Sequence, residues 1–87
     1  MKYTTDYISK KHKFTLGTDP DTGIHFVGIP VANGMIDYIE PYRITQHQFD
    51  EYLTDEDKAV RFVEACRRRE MDELLLQQPG TDRGTPV

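Results

Sequence analysis

The sequence predicts an α+β fold: an antiparallel meander of three or four strands, followed by a short helix and a long C-terminal one packed on one face. Three observations carry this reading. Asn33-Gly34 stands between two runs rich in β-branched and aromatic residues, the strongest short-range hairpin signal. After Ile44 the apolar spacing changes from two residues to 3.6, the mark of a passage from strand to helix. Pro79-Gly80 then closes the last helical pattern, as that pair does after a helix end.

The first strand is expected over about residues 3–8 and the second over residues 13–16. Thr18-Asp19-Pro20-Asp21-Thr22-Gly23 has Pro and Asp to start a turn and Gly to close it. It leads into a third strand at Ile24. A two-residue type I′ turn at Asn33-Gly34 would pair Val31 with Ile36, Ile29 with Tyr38, Val27 with Glu40 and His25 with Tyr42. Pro30 and Pro41 cannot donate to a ladder, so they belong at outward-facing or bulged positions.

Thr45 and Gln48 have the spacing of a capping box, with Ile44 and Phe49 at the staple positions. A short helix over about residues 46–53 follows. Thr54 and Asp57 repeat the cap spacing, and Asp55, Glu56 and Asp57 suit the positive end of a second helix over about residues 55–77. On it Ala59, Phe62, Val63 and Cys66 share one stripe, with Val60 at its edge. Glu70 interrupts the stripe, while Leu75 and Leu76 fall off it. Residues 1–78 read as one domain and residues 79–87 as a C-terminal tail.

At 87 residues, 37% of them apolar and 30% charged, the chain has the composition of a small globular domain. No apolar run approaches the ~20 residues of a membrane span. The opening residues lack the apolar core of a secretory signal, so a cytoplasmic location without membrane contact is expected. A lone Cys66 can form neither an internal disulfide nor a cysteine-rich zinc site. His12, His25 and His47 are not spaced as metal ligands, and Ser9, the only serine, lacks the context of a nucleophile. No metal, cofactor or catalytic centre is expected, and the chain reads as a non-enzyme.

The formal charge is −4, unevenly spread. Residues 35–57 hold seven carboxylates against Arg43 alone, a formal −6. Such a segment attracts basic partners and repels phosphate. The candidate contact residues are therefore Asp37, Glu40, Asp50, Glu51, Asp55, Glu56 and Asp57, with Tyr38, Tyr42 and Tyr52 as aromatic anchors. Two other readings compete. Lys10, Lys11, His12 and Lys13, with Arg67, Arg68 and Arg69, would suit a small nucleic-acid-binding protein or RNase. Leu74, Leu75 and Leu76 could instead form a homodimer surface.

With residues 29–38 and 66–70 set in a chain of this size, acidity and sheet-then-helix order, the protein resembles the immunity proteins of polymorphic and contact-dependent toxin systems. The similarity is one of general character and carries no family residue over. It implies a stoichiometric inhibitor of a cognate toxin, often a basic nuclease.

Overall fold

The computed structural model describes residues 4–32, 37–76 and 85–86. Four strands, β1 (Thr4–Ser9), β2 (Phe14–Thr18), β3 (His25–Ala32) and β4 (Asp37–Ile44), form an antiparallel meander in the order β1-β2-β3-β4. Helices α1 (Gln46–Thr54) and α2 (Glu56–Arg67) follow, then a 3₁₀ turn (Asp72–Leu74). A two-residue strand, β5 (Thr85–Pro86), pairs with Val31 and Ala32 of β3, so the end of the expected tail rejoins the sheet.

The sheet's inner face follows from the period of two. Phe14 and Leu16 of β2, Val27, Ile29 and Val31 of β3, and Tyr42 and Ile44 of β4 point to one side. They bury themselves against Phe49 and Tyr52 of α1 and Ala59, Phe62, Val63 and Cys66 of α2. The stripe read on the second helix is thus its buried face. Burial pushes the Cys66 thiol up to about 12, so it packs as a small apolar side chain.

The β3–β4 register differs from the two-residue hairpin. Ala32 pairs with Asp37 and Val31 with Tyr38, not Ile36; Ile29 faces Glu40 and Val27 faces Tyr42. Four residues, 33–36, therefore separate the paired ends, and the Asn33-Gly34 turn itself lies outside the described residues. A slip of two leaves every side chain on its expected face, whereas a slip of one would have turned the core outward.

Both prolines spare the ladder. The Pro41 carbonyl accepts the Leu76 N–H at 2.9 Å, so its nitrogen also faces away from β3. Pro30, opposite Ile39, stands where the β2 ladder has ended at Gly28 and the β5 ladder begins at Val31. On β1 the register shifts between Thr5 and Tyr7. Asp6 occupies that bulge, a charge and a kink that guard an open sheet edge.

The capping box forms as read. Thr45 Oγ1 accepts the Gln48 N–H, and Gln48 Oε1 accepts the Thr45 N–H, an arrangement contributing about 1 kcal/mol. The second cap differs: Asp55, not Thr54, caps α2 by accepting from the Asp57 N–H. The Thr54 hydroxyl instead bonds back to the Asp50 and Glu51 carbonyls.

Helix α2 also stops at Arg67, ten residues before the expected end. The Arg69 N–H donates to the Cys66 carbonyl and the Glu70 N–H to the Ala65 carbonyl. With Arg69 at φ 64°, this is a Schellman cap, with arginine where glycine is usual. The early stop turns Leu74 and Leu75 back onto the core, and Leu75 bridges Tyr42 along the outer edge of β4.

Candidate protein-interaction site

The fold divides the acidic segment among several tasks. Glu40 is 3% exposed on the inner face. It pairs with Arg69 Nη1 at 3.0 Å and accepts from the Tyr42 hydroxyl at 3.1 Å. Tyr42 and Tyr52 are buried in the core, the latter 6.0 Å from the Phe62 ring, and Tyr38 packs partly against the core. Glu40, Tyr42 and Tyr52 are therefore placed inside the fold and not on its surface. Residues expected to anchor a partner anchor the sheet to its own helices, because a strand tyrosine on the inner face has nowhere else to go. Burial also raises the Tyr52 hydroxyl above its ordinary range.

Glu56 is committed to a clasp. Its carboxylate accepts from the Tyr7 hydroxyl at 2.7 Å and from Ser9 Oγ at 2.7 Å, with His12 Nε2 at 3.5 Å. The clasp ties β1 to the first turn of α2. The two hydroxyl donors, then the positive charges of His12 and Lys11, hold the Glu56 carboxyl below the usual range despite partial burial. The same contact raises Tyr7. Serine, histidine and carboxylate thus meet, but the carboxylate stands between the other two and Ser9 is 4% exposed. Nucleophilic catalysis needs the imidazole on the hydroxyl, and the described hydrogen bonds contain no such contact.

The lowered Glu56 pKa fixes a sign. The clasp's stabilisation is full above the unfolded carboxylate value, near ~4.3, and is lost as pH falls through the lower folded value. The gap in urea midpoint between the natural chain and Glu56→Gln should be widest at neutral pH and close in acid. A gap unchanged down to the acid transition would show that ionisation plays no part.

Asp55 serves as the cap, and Glu51 sits 3.4 Å from Lys58 and 3.7 Å from His47. The side chain of Asp37 lies outside the described residues. That leaves Asp50 and Asp57, both exposed. Among the described residues neither meets a cation within ion-pair distance, and Asp50 accepts from Gln46 Nε2 at 3.0 Å. Leu53, one turn after Asp50, is 42% exposed. Asp50 and Leu53 near the end of α1 and Asp57 in the first turn of α2 are thus exposed at the α1–α2 corner, and the two aspartates are what is left of the ten-residue surface read from the sequence.

The basic clusters are divided too. Arg67 Nη2 donates to the His12 and Lys13 carbonyls, both at 2.8 Å, Arg68 pairs with Glu70 at 2.8 Å, and Arg69 holds Glu40. The arginine triplet is thus absorbed by the fold, while Lys10, Lys11 and Lys13 stay exposed on the β1–β2 turn. Among the described residues no group of three or more His, Cys, Asp or Glu converges as a metal site, and no helix is long and apolar enough to cross a membrane. No family model matches the chain, and no curated protein or solved structure matches it either.

Proposed function

We propose that the chain is a protein-binding inhibitor of the immunity type, neutralising a basic toxin domain in the cytoplasm by stoichiometric binding. The reading is carried by the acidic corner: Asp50 and Asp57 exposed beside Leu53, with no cation of the described residues paired to either aspartate. An exposed leucine with exposed aspartates three residues before it and four after it in the chain offers a basic partner both an apolar contact and electrostatic steering. Pairing Arg67 and Arg69 within the fold removes two of the cations that the nucleic-acid alternative would use and leaves it Lys10, Lys11, Lys13 and the surface-paired Arg68. Folding Leu74 and Leu75 onto the core removes most of the leucine surface that a homodimer would use.

The test is capture from the native host followed by kinetics with the captured partner. A basic domain held one to one, and inhibited on binding, is the expected result. Asp50→Lys with Asp57→Lys should slow its association about tenfold or more at low salt, while stability falls by only about 1 kcal/mol, chiefly because Asp57 stands in the first turn of α2. Asp55 and Glu56 stay untouched, since they serve the cap and the clasp. Recovered nucleic acid, or association indifferent to the reversal, would overturn the reading.

A further inference from the structure

The outer face of the sheet, opposite the helices, carries a second surface of the opposite charge. Ile8 of β1 pairs across to Thr15 of β2, and Pro30 of β3 to Ile39 of β4. These four residues line an open groove of about 300 Å³, with Lys10 and Lys13 at its β1–β2 end. Ile8 is 58% and Ile39 45% exposed, two large apolar side chains that this chain leaves to solvent. Among the described residues Lys10, Lys11 and Lys13 form no ion pair. Lys13 also holds a left-handed backbone, φ 58°, costing about 1 kcal/mol, with its carbonyl fixed by Arg67.

We propose that this groove docks an acidic amphipathic helix of a partner protein, lying across the strands with its apolar stripe on Ile8 and Ile39 and its carboxylates at Lys10 and Lys13. Inner strands have no free ladder groups, so a segment laid over them must satisfy its own backbone, and a helix does. From β1 to β4 the face spans three strand spacings, ~14 Å, which a helix of about ten residues covers. Charge complementarity selects the partner. A second copy stacked face to face would bring the same two lysines to both rims and oppose like charges. This surface is independent of the α1–α2 corner.

The test titrates the full chain, labelled for amide NMR, with a capped helical peptide of about 18 residues of Leu, Ala and Glu, its leucines at helical spacing. Its Lys-for-Glu counterpart and sodium decanoate serve as rivals. Saturable shifts at the amides of Ile8, Thr15 and Ile39, with Leu53 unmoved, are expected for the Glu peptide alone. Lys10→Glu with Lys13→Glu, exposed positions that leave the core intact, should weaken that binding about tenfold or more and favour the Lys peptide. Absence of saturable shifts, equal binding of both peptides, or indifference to the reversal overturns the proposal. So does decanoate displacing the peptide with tighter affinity, which assigns the groove to an acyl anion. Shifts at these amides on raising the protein concentration alone would assign it to a second copy.

Discussion

Arg69→Ala should lower the stability of the chain by about 3 kcal/mol, read as a fall in urea midpoint with unchanged slope. The guanidinium is the charged partner of Glu40, which is almost wholly buried beside the Tyr42 hydroxyl. Removing the cationic member of a buried pair leaves the carboxylate's charge unbalanced, and that penalty exceeds the net worth of the intact pair. Arg69→Gly separates the two roles of this residue. Glycine relieves the left-handed backbone, worth about 1 kcal/mol, yet takes the guanidinium from Glu40 just as alanine does. It should therefore lie between the natural chain and Arg69→Ala. A glycine variant as stable as the natural chain would mean that losing the pair costs no more than the ~1 kcal/mol the backbone recovers, and would refute the larger figure.

Gly17→Ala should be almost as harmful, at about 2–3 kcal/mol. Gly17 faces Phe26 across the β2–β3 ladder and Thr5 across the β1–β2 ladder. A Cβ there would run into the Thr4 carbonyl and into the ring of Phe26. The carbonyl is backbone and cannot swing aside, so β1 must move. Amide exchange should quicken along residues 4–8 more than along residues 25–29. Combining Gly17→Ala with Phe26→Leu should recover only part of the loss, because the carbonyl contact stays. Gly28→Ala makes a useful contrast. Its Cβ would meet the Cγ2 methyl of Ile39 at 2.6 Å and the Thr15 hydroxyl at 2.8 Å, side-chain atoms that a χ1 change can displace, at some cost in β-branched residues, where a backbone carbonyl cannot move. Equal losses at the two glycines would refute the backbone argument.

The strands were legible because a half-buried strand writes its burial into alternate residues. Odd positions from 27 to 31 and even ones from 42 to 44 read as one face and are one face. The pairing partner was less legible. Asn33-Gly34 suggested a turn of two residues, but alternation alone cannot tell registers two apart, since both put the same side chains inward. The end of α2 was hidden for a related reason. The pattern from residue 68 onward still permits a helix, and no glycine marks the stop. Arg69 takes the left-handed position, in a conformation that the buried Glu40 helps to hold.

The candidate site was legible as a sum of charges and illegible as a surface. Seven carboxylates in one segment could be counted. Their fates depend on Arg69, 29 positions beyond Glu40, and on Tyr7 and Ser9, 49 and 47 positions before Glu56. No local pattern announces such partners. Leu53 could not have been noticed: four residues after Phe49 it shares much of that residue's side of the first helix, and only the packing leaves it 42% exposed. Nor could Ile8 and Ile39, because in a strand pattern an outward isoleucine looks like an inward one until the helices choose a face.

What the sequence determined by itself was therefore what short-range forces control: the alternation of the strands, the capping box at Thr45 and the buried stripe from Ala59 to Cys66. Each depends on atoms a few residues apart, whose geometry follows once the backbone type is set. Tertiary structure alone decided which carboxylates remain available, where the last helix stops and which sheet face lies open. These rest on contacts across tens of residues, where desolvation and pairing act only after the chain has closed on itself.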